Sequence, residues 1–192
     1  MKYPKYVEVD GKRYEINTDF RVAIKCNEIA TDNSIGDYER ALAIIYTLFG
    51  EEGINTPKYY EKLLELSKKY LLCGDKQLDT TDEPDMDYVE DMDYIEASFM
   101  SDYHIDLSET QMHWWKFNNL INGLSNSELG DCCVLNRIRN LRNYDTKDIK
   151  DSKERQRMEE AKERFALKKN RKVATEEQKE NMEEILKDLG LL

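Results

Sequence analysis

The sequence predicts a mainly α-helical protein: an N-terminal β-hairpin packed on a helical bundle, then one or two charged C-terminal helices free to project. Three observations predict this. Apolar residues recur at helical spacing through most of the chain. Two alternating runs, Tyr6-Val7-Glu8-Val9 and Arg13-Tyr14-Glu15-Ile16, flank Asp10-Gly11-Lys12, and Asp-Gly between such runs is a hairpin turn signal because glycine tolerates positive φ at little cost. Three prolines and eight glycines in 192 residues supply too little turn chemistry for a many-stranded sandwich.

Taken in order, Asn17-Thr18-Asp19 offers N-cap oxygens for a helix from Phe20 to about Ala30. A second helix is predicted from Ile35 to Phe49. Tyr38, Leu42, Ile45, Tyr46 and Phe49 repeat at helical spacing, with Ile44 and Leu48 widening the stripe, so about half the circumference is expected to be buried. Gly50 and Gly53 end it. Thr56-Pro57 restarts the chain as N-cap and first helical residue of a third helix reaching Leu72, with Tyr59, Tyr60, Leu63, Leu64, Ser67, Tyr70 and Leu71 inward.

From Asp75 to Asp93 there are nine acidic residues and one basic, which predicts a solvated acidic linker. No window of it has the central glycine of a calcium loop. Helical patterning resumes at Tyr94–Met100. Ser108-Glu109-Thr110-Gln111 fits a capping box opening a helix from Glu109 to about Leu124, and another short helix is predicted from Ser127 to Leu141. Between Arg137 and Lys172 the balance reverses to fourteen basic against seven acidic residues, with Met158, Ala161 and Phe165 as a narrow apolar stripe. A second capping box, Thr175-Glu176-Glu177-Gln178, precedes a last helix whose Met182, Ile185, Leu186 and Leu189 share one face. The predicted organisation is therefore a hairpin plus helical core over 1–142, with the acidic linker 75–93 inside it, and a charged helical tail over 143–192.

The formal charge of −11 disfavours nonspecific contact with nucleic acid, whose phosphates would be repelled. With no run of 18 apolar residues and a polar start, neither a membrane span nor a signal peptide is expected. Cys26, Cys73, Cys132 and Cys133 form no C-x-x-C pair, and reduced thiols in a cytosol are the simplest expectation. His104 and His113 stand in no metal-binding spacing, and there is neither a nucleophile elbow nor a glycine-rich phosphate loop. No catalytic, cofactor-binding or metal-ligating residue is nominated, and an enzyme is not expected.

The most informative segment is His113-Trp114-Trp115-Lys116-Phe117, which holds both tryptophans. On a helical wheel Trp114, Phe117, Leu120, Ile121 and Leu124 share one side, with Trp115 and Met112 nearly opposite. Either this is a helix packed on two sides, or Trp115 is an anchor for a partner, since exposed Trp and Met are enriched at interfaces. Stacking on nucleic-acid bases is a third reading, which surroundings poor in basic residues disfavour. The partner-facing candidates are Met112, Trp115, Phe165, Met182, Ile185 and Leu189. The basic 137–172 stretch is either a solvated helix with internal ion pairs or a site for an acidic surface. The 75–93 segment of a second copy is one such surface, which would make a homo-oligomer.

Tyr94-Ile95-Glu96-Ala97-Ser98-Phe99, Tyr103-His104-Ile105-Asp106-Leu107 and His113-Trp114-Trp115-Lys116-Phe117, in this order, resemble the signature of the bacteriophage "Gp fifteen" family. The family usually has glycine where His104 stands; if that position needs positive φ, histidine tolerates it less well than glycine, and an altered turn is expected there. The resemblance implies a tail-assembly role in a long-tailed phage: a chaperone holding the tape-measure protein, the tail-tube subunit, or both, in the host bacterial cytoplasm and absent from the finished virion. A structural tail completion or connector protein kept in the virion is the first alternative. A nucleic-acid-binding regulator using the basic helix is the second.

Overall fold

A computed structural model describes residues 3–74, 84–126 and 132–168 of the chain. Among these the protein is mainly helical, with one two-stranded antiparallel hairpin, β1 (Tyr6–Val9) and β2 (Lys12–Glu15), as the sequence predicts. Seven helices follow: α1 (Phe20–Thr31), α2 (Asp37–Ile54), α3 (Tyr60–Leu71), α4 (Met92–Tyr103), α5 (Trp114–Asn122), α6 (Val134–Asn143) and α7 (Ser152–Phe165). The chain divides into two compact units, residues 1–137 and 138–192.

In the first unit the hairpin turn places Asp10 and Gly11 at φ 50° and 81°, the conformation that matches strand twist. An isolated hairpin is marginal in water, and this one is held by burying Val9, Tyr14 and Ile16. The Tyr14 hydroxyl donates to Thr56 Oγ1 at 3.1 Å, so the buried ring keeps a polar partner. Helix α1 starts where the Asp19 carboxylate accepts from the Arg21 N–H at 2.9 Å. Helices α1 and α3 pack on α2. Ile44, Ile45, Leu48 and Phe49 form the buried side of α2.

Two expectations about α2 need correction. The helix does not end at Phe49: Gly50 breaks it at φ 63°, ψ −155°, and one further turn runs to Ile54. The break leaves the Leu48 carbonyl to accept from Asn17 N–H at 2.8 Å, a bond that ties α2 to the segment after the hairpin. Tyr38 and Tyr46, read from the sequence as inward, are 64% and 57% exposed. Tyr46 is one residue, about 100° of helix rotation, past Ile45 at the centre of the core face. Tyr38 lies in the first turn of the helix.

The acidic segment is also shorter as a linker than predicted. Residues 75–83 lie outside the described part, but 84–91 fold into a turn. The Asp87 carboxylate accepts from the N–H groups of Val89 (2.8 Å) and Glu90 (3.0 Å). Asp91, 1% exposed, accepts from Asp87 N–H at 3.0 Å. These carboxylates supply the hydrogen bonds that let the chain enter α4 at Met92, two residues before the predicted start. At the other end, α4 stops where His104 takes a left-handed conformation, φ 55° and ψ 36°, with its N–H bonded to Met100 O and that of Ile105 to Phe99 O. This is the positive φ that the glycine of the resembled family anticipates. A non-glycine residue there costs roughly 1–2 kcal/mol, partly cancelled by the greater unfolded-state freedom of glycine. His104→Gly is therefore expected to raise stability by about 0.5–1 kcal/mol, read as a higher urea midpoint at unchanged slope.

In the second unit the Asp151 carboxylate caps α7 through the Glu154 N–H at 2.9 Å. The loop before it is pinned by Arg155, which donates to Ile149 O at 2.6 Å, and by Lys162 on Tyr144 O. Arg142 Nε reaches Phe165 O at 2.7 Å, which fixes the last turn of α7 to the end of α6. The helix predicted from Ser127 begins, among the described residues, at Val134, which belongs to the first unit. Residues 127–131 lie outside the described part, and Cys132 pairs with Asn126 in an isolated bridge.

Candidate functional site

The His-Trp-Trp-x-Phe segment sits at the centre of the first unit, and its residues divide the work of holding that unit together. Phe117 is fully buried and stacks on Phe20 of α1 (ring centroids 4.4 Å apart), Phe99 of α4 (5.3 Å) and Trp114 (5.9 Å). Tyr88, from the folded end of the acidic segment, meets Trp114 edge-on at 5.3 Å and donates its hydroxyl to Asn118 Oδ1 at 2.8 Å. Four stretches of chain thus converge on one aromatic cluster, where offset and edge geometries add to the area buried.

The two tryptophans use their polar edges in the same way. Trp114 Nε1 donates to Leu71 O and Trp115 Nε1 to Tyr70 O, both at 2.9 Å. These are carbonyls of the last turn of α3, which lack partners within the helix. Trp115 also stacks on Tyr70, with centroids 6.2 Å apart. Directly beneath its ring the chain leaves α3 through Cys73 (φ 55°) and Gly74 (φ 82°), with Gly74 N–H returning to Lys69 O at 2.9 Å. A Cβ on Gly74 would stand 3.0 Å from the Trp115 ring.

His113 performs two tasks. Its Nδ1 accepts the Trp115 N–H at 3.0 Å and so caps α5, which requires the proton to sit on Nε2. Nε2 in turn lies 2.8 Å from Pro4 O, and the Tyr3 ring stacks on the imidazole at 5.0 Å, so the N-terminal arm is fastened to α5. A pair of backbone bonds beside it, Phe20 N–H to Met112 O (2.9 Å) and Trp114 N–H to Thr18 O (2.8 Å), joins the starts of α1 and α5. His113→Ala is expected to cost about 1–2 kcal/mol and to speed amide exchange at Trp115 and in the arm before α1. Exchange that stays unchanged would show that the cap carries no weight.

The helix starts at Trp114, not Glu109, and the reason lies outside the segment. Asp106 accepts from both the N–H (2.9 Å) and the hydroxyl (2.6 Å) of Ser108, which draws the capping serine into a turn and holds the Asp106 carboxyl below its usual range. Arg21, on α1, donates to the carbonyls of Leu107, Ser108 and Thr110, and a helix from Glu109 would use the last two as its own acceptors.

The predicted partner-facing residues fare differently. Met112 is corrected: it precedes the helix and is 4% exposed, so no free methionine face exists there. Trp115 is half-buried, packed on Tyr70 with its N–H used internally, rather than standing opposite the core. Phe165 is half-buried at the end of α7 in the second unit. Met182, Ile185 and Leu189, and the helix predicted after Thr175, lie outside the described residues.

The surface that sequence reasoning missed is on α2. Tyr38, Leu42 and Tyr46 follow one another at i, i+4 and i+8, two of them more than half exposed. The spacing is visible in the sequence, but spacing alone does not separate a covered stripe from an exposed one. Elsewhere the first unit offers an open groove of about 690 Å³ bordered by the N-terminal arm and the hairpin, including Tyr3, Lys5, Arg13 and Glu15. A smaller one lies between α4 and the start of α6, where Ser125 N–H donates to Asp102 at 2.7 Å and holds that carboxyl below its usual range. Among the described residues no group of three or more His, Cys, Asp or Glu side chains could hold a metal ion. No described helix is long and apolar enough to cross a membrane.

A family model described as "Bacteriophage Gp15 protein" matches residues 2–167. No curated protein and no solved structure matches this chain.

Proposed function

Because this chain belongs to the Bacteriophage Gp15 protein family, we propose that it serves phage tail assembly as a chaperone that binds the tape-measure protein, the tail-tube subunit, or both. The family match over residues 2–167 supports a bacteriophage protein, and the reading starts from there. Two features of the molecule support it. Residues 1–137 hold 27 acidic against 14 basic side chains, a formal −13, while 138–192 hold 13 against 15. A strongly acidic body keeps a protein soluble while it carries a sticky client and keeps it off nucleic acid. The same body exposes an aromatic stripe on α2, the type of surface on which protein partners dock.

In this proposal the protein works by binding, in the host cytoplasm, and leaves before the tail is complete. The test is affinity capture of the tagged protein from infected cells during assembly, together with mass spectrometry of purified particles. The expected result is tape-measure protein or tail-tube subunit in the captured fraction and none of this chain in the particles. Stoichiometric presence in particles would make it a structural tail component instead.

A further inference from the structure

We infer that the Tyr38–Leu42–Tyr46 stripe of α2 is a docking surface and that its occupant is an amphipathic helix of another protein, apolar along one face and flanked by lysine or arginine. The inference deepens the function proposed above and rests on that reading for the source of the helix, though not for its chemistry.

The stripe is built for a helix. Tyr38 to Tyr46 spans eight residues, about 12 Å of helix axis, with side chains in one i±4 row. Such a row seats in the groove between rows of a facing helix, and two tyrosines supply large contact area at low cost in side-chain freedom. The other exposed large apolar side chains described in this unit do not line up in this way. Tyr6 has the Arg13 guanidinium over its ring at 3.9 Å, and Leu72, Val89 and Met100 come from three separate stretches.

Charge selects the partner. Asp37, Glu39 and Glu51 are exposed on α2 itself, and Asp32 closes α1 just before it. The cations nearest these carboxylates are already committed: Lys25 pairs with Glu28 at 3.3 Å, and Arg40 is taken as well. It donates to Asp37 at 2.7 Å, to Asp32 O at 2.8 and 3.1 Å, and to Ile35 O at 2.9 Å. The last turn of α1 holds no basic residue to offset its carbonyl end. A cationic helix is therefore steered toward the stripe, while an acidic helix, a nucleic acid or a second −13 unit is repelled.

The test uses the full-length protein and two fluorescent designed peptides with the same leucine face, one flanked by lysines and one by glutamates. Binding is read by anisotropy at low and physiological salt. The lysine peptide is expected to bind, more weakly as salt rises, and Tyr38→Ala/Tyr46→Ala to lose about tenfold or more in affinity. Tyr6→Ala should change it little, and the melting temperature of each variant checks that it is folded. A photo-crosslinking residue in place of Tyr46 should capture the lysine peptide in an otherwise unchanged protein. Equal binding by the double variant, equal binding of the glutamate peptide, or no crosslink would each overturn the inference. A double variant that still captures tape measure in cells would sink the stripe and leave the function standing. A stripe that binds the lysine peptide in a protein that captures no tail component would do the reverse.

Discussion

Trp114→Ala is expected to destabilise the protein by about 3–5 kcal/mol, the cost of truncating a large buried aromatic. A domain of this size has only about 5–15 kcal/mol to lose. Trp114 is 1% exposed, and its ring faces Phe117 and Tyr88, so its loss opens the cluster where α1, α4, α5 and the 84–91 turn meet. The Leu71 carbonyl at the end of α3 loses its donor at the same time. The expected observation is a large fall in the urea midpoint, with helical far-ultraviolet dichroism kept below it and the near-ultraviolet signal reduced. Trp114→Phe separates the two contributions. It keeps most of the ring and removes the N–H, so a loss nearer 1–2 kcal/mol is expected. Equal losses for Ala and Phe would mean that the hydrogen bond, not the ring, holds the site.

Gly74→Val is expected to cost about 2–4 kcal/mol, although the residue is exposed and carries no side chain. Its φ of 82° is one that a β-branched residue adopts only under strain. The first carbon added would also stand 3.0 Å from the Trp115 ring. Neither cost can be relieved cheaply, because that ring is fixed by Tyr70 on its face and by the Tyr70 carbonyl at its N–H. Thermal melts should show the loss, and tryptophan fluorescence should shift as Trp115 is displaced. Gly74→Ala should show the same change at smaller size. A neutral Gly74→Val would contradict the description of how α3 ends.

Local signals in the sequence were reliable where the chain's partners are close by. The hairpin follows from Asp10-Gly11 and its flanking alternation, and α1 from the Asp19 cap. At His104 the expected alteration of the turn does not occur: the histidine itself takes the left-handed conformation. What was not legible depends on residues far apart. The capping box at Ser108 is a good local pattern, defeated by an arginine 87 residues earlier in the chain. A helical wheel set Trp115 apart from the core because it could not know that the end of α3 lies over it. The same blindness ran the other way on α2, where spacing placed Tyr38 and Tyr46 inside. An apolar stripe wider than the surface its neighbours can cover looks identical, in sequence, to a wider core.

These displacements change where function is sought. The His-Trp-Trp-x-Phe run, which carries the family resemblance, is absorbed in holding four stretches of chain together. The surface proposed for a partner lies instead on α2, where Tyr38 and Tyr46 are exposed. The most direct measurement of the central claim is co-expression of this protein with the tape-measure product of the same phage genome, read as the soluble, co-purifying fraction of tape measure. The account predicts that tape measure is insoluble alone and becomes soluble in a complex with this protein. Tape measure that stays insoluble and unbound beside the folded wild-type protein would contradict it.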